Sequence, residues 1–133
     1  MAVVLLFFKK TRKIGIMCAV SLILSVVINN VIIKNLVART RPYEVVEGLK
    51  LLIAKQSDFS FPSGHTGASF AAAVVIFMKT PKKYGIPAMR MAALIAFSRL
   101  YVGVHYPTDV LAGLVTGTIC ALMSVKLSLW RQE

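Results

Sequence analysis

The sequence predicts an all-α, integral-membrane helical bundle: about four transmembrane helices, an N-terminal half-helix stub and a short interfacial helix in the 43–61 loop. Three observations carry that expectation. Hydrophobic residues make up 57% of the 133-residue chain, and its mean hydropathy of +0.74 exceeds what a soluble domain carries. The apolar residues gather into runs long enough to compare with the thickness of a bilayer. Sixteen Lys and Arg outweigh five acids to give a net charge of +11, and these cations stand at the ends of the runs. So placed, they read as topology signals and anion ligands, with no nucleic-acid partner implied. No polar linker divides the chain, so residues 1–133 read as a single membrane-embedded domain.

The elements follow in order. Met1 to Phe8 is apolar but too short to span, and no charged segment precedes it as in a signal peptide. It reads as the last half of a helix whose start is missing, so the domain is expected to lack N-terminal helices. After the basic run Lys9 to Lys13, the stretch Ile14 to Ile33 gives twenty residues without a formal charge, enough for one crossing. Asn29 and Asn30 near its far end suggest a face turned to protein or water. The polar stretch from Lys34 to Phe61 contains Leu49, Leu51, Leu52 and Ile53, which place an interfacial helix over 45–54. A second apolar run, rich in Gly and Ala, extends from just after Ser63 to Met78, where Lys79-Thr80-Pro81 turns the chain. The third, Ile86 to Gly103, tolerates Arg90 and Arg99 if each reaches an interface. The fourth runs from Thr108 to about Leu127, with Gly113 and Gly117 as a candidate packing seam. Cys18 and Cys120 lie inside apolar runs and read as buried free thiols.

Counting cations orients the bundle. With Lys9 to Lys13 cytoplasmic, ten basic residues fall on that side and six on the other, three of the six within polar motifs. The positive-inside bias then faces those motifs to the extracytoplasmic side of the cell membrane.

Three polar segments interrupt the apolar sequence: Lys34-(six residues)-Arg41-Pro42, Pro62-Ser63-Gly64-His65, and Ser98-Arg99-(five residues)-His105-(three residues)-Asp109. The four-crossing topology brings all of them to one depth on one side. Ser63 reads as an N-cap, and Gly64 lets a ligand approach a helix N-terminus whose free amides attract phosphate oxygens. Asp109, four residues after His105, can accept from one imidazole nitrogen and leave the other free as a nucleophile. Arg99 near the hydrocarbon boundary needs an anion: two phosphate oxygens, or else Glu44, Glu47 or Asp58. Arg39, Lys50 and Lys55 read as surface charges or lipid-headgroup contacts. Taken singly, each motif also has a plain structural reading as a cap, an interfacial anchor or a helix-end charge.

Together, in order and complete, they resemble the three-part signature of the type 2 phosphatidic acid phosphatase family, K-x6-RP, PSGH and SR-x5-H-x3-D, spanning Lys34 to Asp109. The family core usually has six transmembrane helices, so this chain departs from it at the N-terminus, outside the motifs. The resemblance implies that His105 attacks phosphorus to form a phosphohistidine, oriented by Asp109. It implies that His65 protonates the departing oxygen and then helps activate water. Lys34, Arg41, Ser63, Gly64 and Arg99 would hold the non-bridging oxygens. No metal or cofactor is implied.

The expected partner is a membrane lipid phosphate in the bilayer, with undecaprenyl diphosphate favoured over phosphatidylglycerol phosphate or phosphatidate; nothing in the sequence sets an oligomeric state. Two other readings stay open. One is a catalytically idle lipid-phosphate binder or transporter component, which the presence of both histidines disfavours. The other is a vanadate-dependent haloperoxidase-like enzyme, a soluble and longer type of chain than this one.

Overall fold

A computed structural model describes residues 11–48 and 52–130 of the chain. The half-helix stub at Met1 to Phe8 lies outside them. Among the described residues the fold is all helical. The elements are α1 (Arg12–Val26), which continues without a break through a π-helical segment (Val27–Ile33) into α2 (Lys34–Val37), then α3 (Pro42–Val45), α4 (Gly64–Lys79), α5 (Lys82–Tyr101) and α6 (Pro107–Trp130). The apolar runs expected after Ser63 and at Thr108 coincide with α4 and α6. The third run starts earlier than expected, because Pro81 opens α5 ahead of Ile86.

Two stretches, Arg12–Val45 and Pro107–Ser128, are long and apolar enough to cross a membrane. The other two long helices differ for physical reasons. The sixteen residues of α4 reach about 24 Å at 1.5 Å per residue, and Lys82, Lys83, Arg90 and Arg99 dilute the hydropathy of α5.

The expected interfacial helix over 45–54 is corrected. Among the described residues, helix in this region is confined to the single turn α3, which begins at Pro42, where the missing N–H costs nothing. Residues 46–48 and 52–53 are turns and bends, with residues 49–51 outside the described set. Leucines at irregular spacing gave an apolar signal without the periodicity a helix requires.

Helix α4 sits at the centre and packs on α1, α5 and α6. Its neighbours come close because small residues line the contacts: Ala71, Ala73, Ala92 and Ala121 are buried, as are Ser21 and Ser25. A Cβ added at Gly117 would meet the Gly67 carbonyl oxygen at 2.2 Å, and one at Gly113 would meet the Ser63 carbonyl oxygen at 2.5 Å. The seam suggested by the glycine spacing is thus the α4–α6 contact. Large apolar side chains lie on the outside instead: Leu94 and Phe97 are each 64% exposed, and Ile23 63%. Small residues within and large ones without are what helix association in lipid favours. Cys18 and Cys120 are free and buried, as expected.

Candidate functional site

Local chain geometry brings the three polar segments together. In the π-helical segment each turn takes one more residue, and the Lys34 amide donates to the Asn29 carbonyl. Lys34 is thereby buried at 5% exposure, while neighbouring Asn35 and Leu36 are exposed. The helix ends at Ala38 in a left-handed conformation (φ 47°). Arg41 is extended, as a residue before proline prefers, and is buried at 3% exposure. Ser63 caps α4: its Oγ accepts from the Thr66 amide at 3.5 Å and from Thr66 Oγ1 at 3.0 Å. Helix α5 ends at Tyr101 with Val102 as its C-cap, and the chain turns at Gly103, whose φ of 74° suits a residue without a Cβ. That turn carries the chain from Arg99 back to His105 and into α6.

Lys34, Arg41, Asp58, His65, Arg99 and His105 line one small cavity of about 30 Å³. Six of the eight sequence-predicted site residues therefore converge, counting Asp109 behind His105. Ser63 and Gly64 are not among the residues lining the cavity. The Ser63 hydroxyl is fully buried in its capping role, and the space over the Gly64 Cα is taken by Asn30 Oδ1. A larger cavity of about 510 Å³ lies at the far end of the bundle, between Lys13, Met17, Val20 and Leu127. Among the described residues Lys13 is the only ionisable group in its lining.

Asp109 is fully buried and its carboxylate is heavily engaged. Oδ1 accepts from Arg39 Nη1 at 2.8 Å. Oδ2 accepts from the Tyr106 amide at 2.9 Å and, in a short contact, from Ser60 Oγ. His105 Nδ1 lies 3.6 Å from Asp109 Oδ2 and 3.5 Å from Ser60 Oγ. The expected direct hydrogen bond from imidazole to Asp109 is thus replaced by a looser contact shared with Ser60. Because the hydroxyl donates to Asp109, its oxygen is left to accept from Nδ1–H. That arrangement keeps the second ring nitrogen, Nε2, free of a proton. Burial, and after it the charge of Arg41, pushes the His105 pKa below the usual 6.5, although Asp109 pulls the other way. The ring is held neutral at pH 7.

Arg39 corrects the reading of it as a surface charge. Its guanidinium reaches both Asp109 and Thr108 Oγ1 (2.7 Å) and stacks on the Tyr106 ring at 3.9 Å. Arg99 forms no ion pair with Glu44, Glu47 or Asp58; its Nε donates to Ser98 Oγ at 3.2 Å. Asp58 pairs instead with Lys34 and with Arg41 Nη2 (2.5 Å). Arg41 also donates from Nε to the Asp58 carbonyl and from Nη1 to the Val104 carbonyl. Burial alone would raise the Asp58 pKa, but the hydrogen bonds and charges of Lys34 and Arg41 outweigh it and hold the carboxyl below 3.8.

Sequence reasoning missed Arg39, Ser60 and the role of Asp58. One signal was available: Asp58 is the only acid between Glu47 and Asp109, so a face with several cations had little else to neutralise it.

A cup of cations around two imidazoles, one backed by a carboxylate, has the charge and the acid–base groups to hold a phosphate. The chain belongs to the PAP2 superfamily, whose sequence profile matches residues 15–133. It is 40% identical over 123 residues to an undecaprenyl-diphosphatase from Sulfolobus acidocaldarius, a match covering 92% of this chain and 59% of that protein. It is 36% identical over 88 residues to undecaprenyl-diphosphatase BcrC of Bacillus subtilis, covering 66% of this chain and 45% of the relative. The chain therefore spans roughly half of these curated relatives' length. Among solved structures, LpxE from Aquifex aeolicus superposes with a TM-score of 0.82 at 30% identity, covering 94% of this chain and 73% of that one. The PAP2-type phosphatidylglycerolphosphate phosphatase of Bacillus subtilis gives a TM-score of 0.74 at 27% identity, covering 95% of this chain and 64% of that one.

Proposed function

We propose that this chain hydrolyses a terminal phosphate from a membrane lipid, without a metal ion, through a phosphohistidine on His105. The observation that carries the reading is the neutral, buried His105 in the same cavity as Lys34, Arg41, His65 and Arg99, with Asp109 and Ser60 at its Nδ1. In the first step, His105 Nε2 forms a bond to phosphorus as the bond from phosphorus to the lipid oxygen breaks. His65 supplies a proton to that oxygen. In the second, His65 takes a proton from water, the water oxygen bonds to phosphorus and the P–N bond breaks, releasing phosphate and free His105. Lys34, Arg41 and Arg99 meet the negative charge on the non-bridging oxygens. Asp109 and Ser60 stabilise the imidazole as it becomes cationic.

The long helical segments α1–α2, α4, α5 and α6 act as four crossings, with the cup at the extracytoplasmic lipid boundary. Their exposed Ile23, Leu94, Phe97 and Leu111 meet lipid tails in this arrangement, and the substrate's tail stays in the bilayer. Undecaprenyl diphosphate is the favoured substrate, because two relatives are undecaprenyl-diphosphatases. A panel of undecaprenyl diphosphate, phosphatidylglycerol phosphate, phosphatidate and a water-soluble phosphomonoester, assayed in detergent with chelator, tests the reading. Preferential release from the isoprenoid diphosphate is expected; activity that vanishes with chelator contradicts the histidine route.

A further inference from the structure

Asp58 lies inside the cation cup yet has no step in the displacement above. Its Oδ2 accepts from Lys34 Nζ, and its Oδ1 accepts from Arg41 Nη2 at 2.5 Å. One carboxylate thus bridges two cations that are themselves 5% and 3% exposed. This is the contact a phosphoryl group makes through two of its oxygens. The space left beside it is small, about 30 Å³, and the two cations it would offer a phosphoryl group are already engaged by Asp58. Lys34 and Arg41 are buried, and Arg41 is also tied to the Asp58 and Val104 carbonyls. The Asp58 side chain, 51% exposed, can swing into water.

We propose that Asp58 is a positioning residue that occupies the phosphate seat while the site is empty and is displaced by the entering phosphoryl group. The inference rests on the reading of Lys34 and Arg41 as phosphate ligands. With the carboxylate in place, two buried cations stay aimed at one point, instead of repelling each other or drawing in another anion. After hydrolysis the same carboxylate competes with inorganic phosphate for the seat and speeds its departure. No covalent bond changes; one anion exchanges for another.

Calorimetric titration of inorganic phosphate into the purified chain in detergent tests this. Asp58→Asn and Asp58→Ser should bind phosphate about tenfold more tightly, the scale of one half-screened charge contact, while Asp58→Glu stays near the parent. A merely structural Asp58 would do the reverse, because a loosened cup binds phosphate less well. Unchanged or weaker binding in the two neutral variants overturns the proposal. Lys34→Ala separates the two layers: phosphate binding indifferent to it contradicts the phosphate-seat reading itself. Binding lost in Lys34→Ala but unaltered in Asp58→Asn removes only the role of Asp58. Should neither neutral variant fold, hydrogen exchange in the parent decides. Saturating phosphate should speed exchange across residues 56–59, and unchanged or slower exchange there overturns the proposal.

Discussion

Arg39 Nη1 donates a 2.8 Å hydrogen bond to Asp109 Oδ1 across seventy residues of sequence, joining the end of the first long helix to the start of the last. The carboxylate is fully buried, whereas the guanidinium side chain is 36% exposed. Removing the cation leaves a buried charge short of its main partner. Arg39→Ala should therefore cost roughly 1–3 kcal/mol, less than a fully buried pair because water reaches the arginine. Thermal unfolding in detergent measures it. Activity should fall with it, since Asp109 loses its fixed orientation behind His105, and Arg39→Lys should recover only part, lacking the fork that also holds Thr108.

Ser60 is the hinge between Asp109 and His105. Ser60→Ala should lower kcat more than it raises KM, because the hydroxyl acts on the nucleophile and touches no lipid. Its loss removes one donor from a buried carboxylate that keeps the Tyr106 amide and Arg39, a cost of about 1–3 kcal/mol. Steady-state kinetics with a saturating lipid diphosphate series separates the two constants; a pure KM effect contradicts the assignment.

The pH dependence follows from the sign of the His105 shift. Its folded pKa lies below the unfolded 6.5, so the native state binds fewer protons than the unfolded state in that interval. The stability contribution is present above pH 6.5 and is lost as the pH falls toward the folded value. Thermal stability in detergent should decline on acidification below pH 6.5, and the decline should flatten in His105→Asn. The rate kcat/KM should be bell-shaped, with an acid limb below pH 6.5 from protonation of His105 and a basic limb from loss of the His65 proton. A flat profile from about pH 5 to 9 contradicts the acid–base pairing where chemistry limits the rate.

The α4–α6 seam gives a packing prediction. In Gly117→Ala the new methyl would sit 2.2 Å from a backbone oxygen of Gly67, which cannot rotate away. The helices must separate, at a cost of about 1–3 kcal/mol or more. Gly113→Ala pushes on the Ser63 carbonyl at 2.5 Å, just beneath the start of α4. It should reduce activity as well as stability, while Gly48→Ala, with open space around it but φ 82°, should affect stability only.

The parts of this molecule that were legible in the sequence are those set by local chemistry. Charge-free runs bounded by cations located α1, α4 and α6, and Ser63 declared itself as a cap by its place before Gly64 and His65. The convergence of Lys34, His65, Arg99 and His105 in one cavity was legible from the expectation that alternating crossings return each motif to one side. What escaped depends on side-chain reach across the fold. Arg39 looks like Lys55 in sequence, and only the turn at Ala38 and the approach of α6 set it on Asp109. Asp58 was weighed against Arg99, because sequence gives no measure of which cation is nearer. The interfacial helix failed at the described residues 46–48 and 52–53, which turn and bend, while Tyr43 Oη and the Gln56 backbone pin the segment through contacts of 3.0 and 3.2 Å.

The most direct test of the central claim is phosphate release from undecaprenyl diphosphate by His105→Ala beside the parent chain, both in detergent with chelator. Removing the attacking nitrogen should lower the rate by about 10⁴-fold or more, the loss seen when a covalent nucleophile is deleted. A variant that keeps a rate within about tenfold of the parent would contradict a phosphohistidine route.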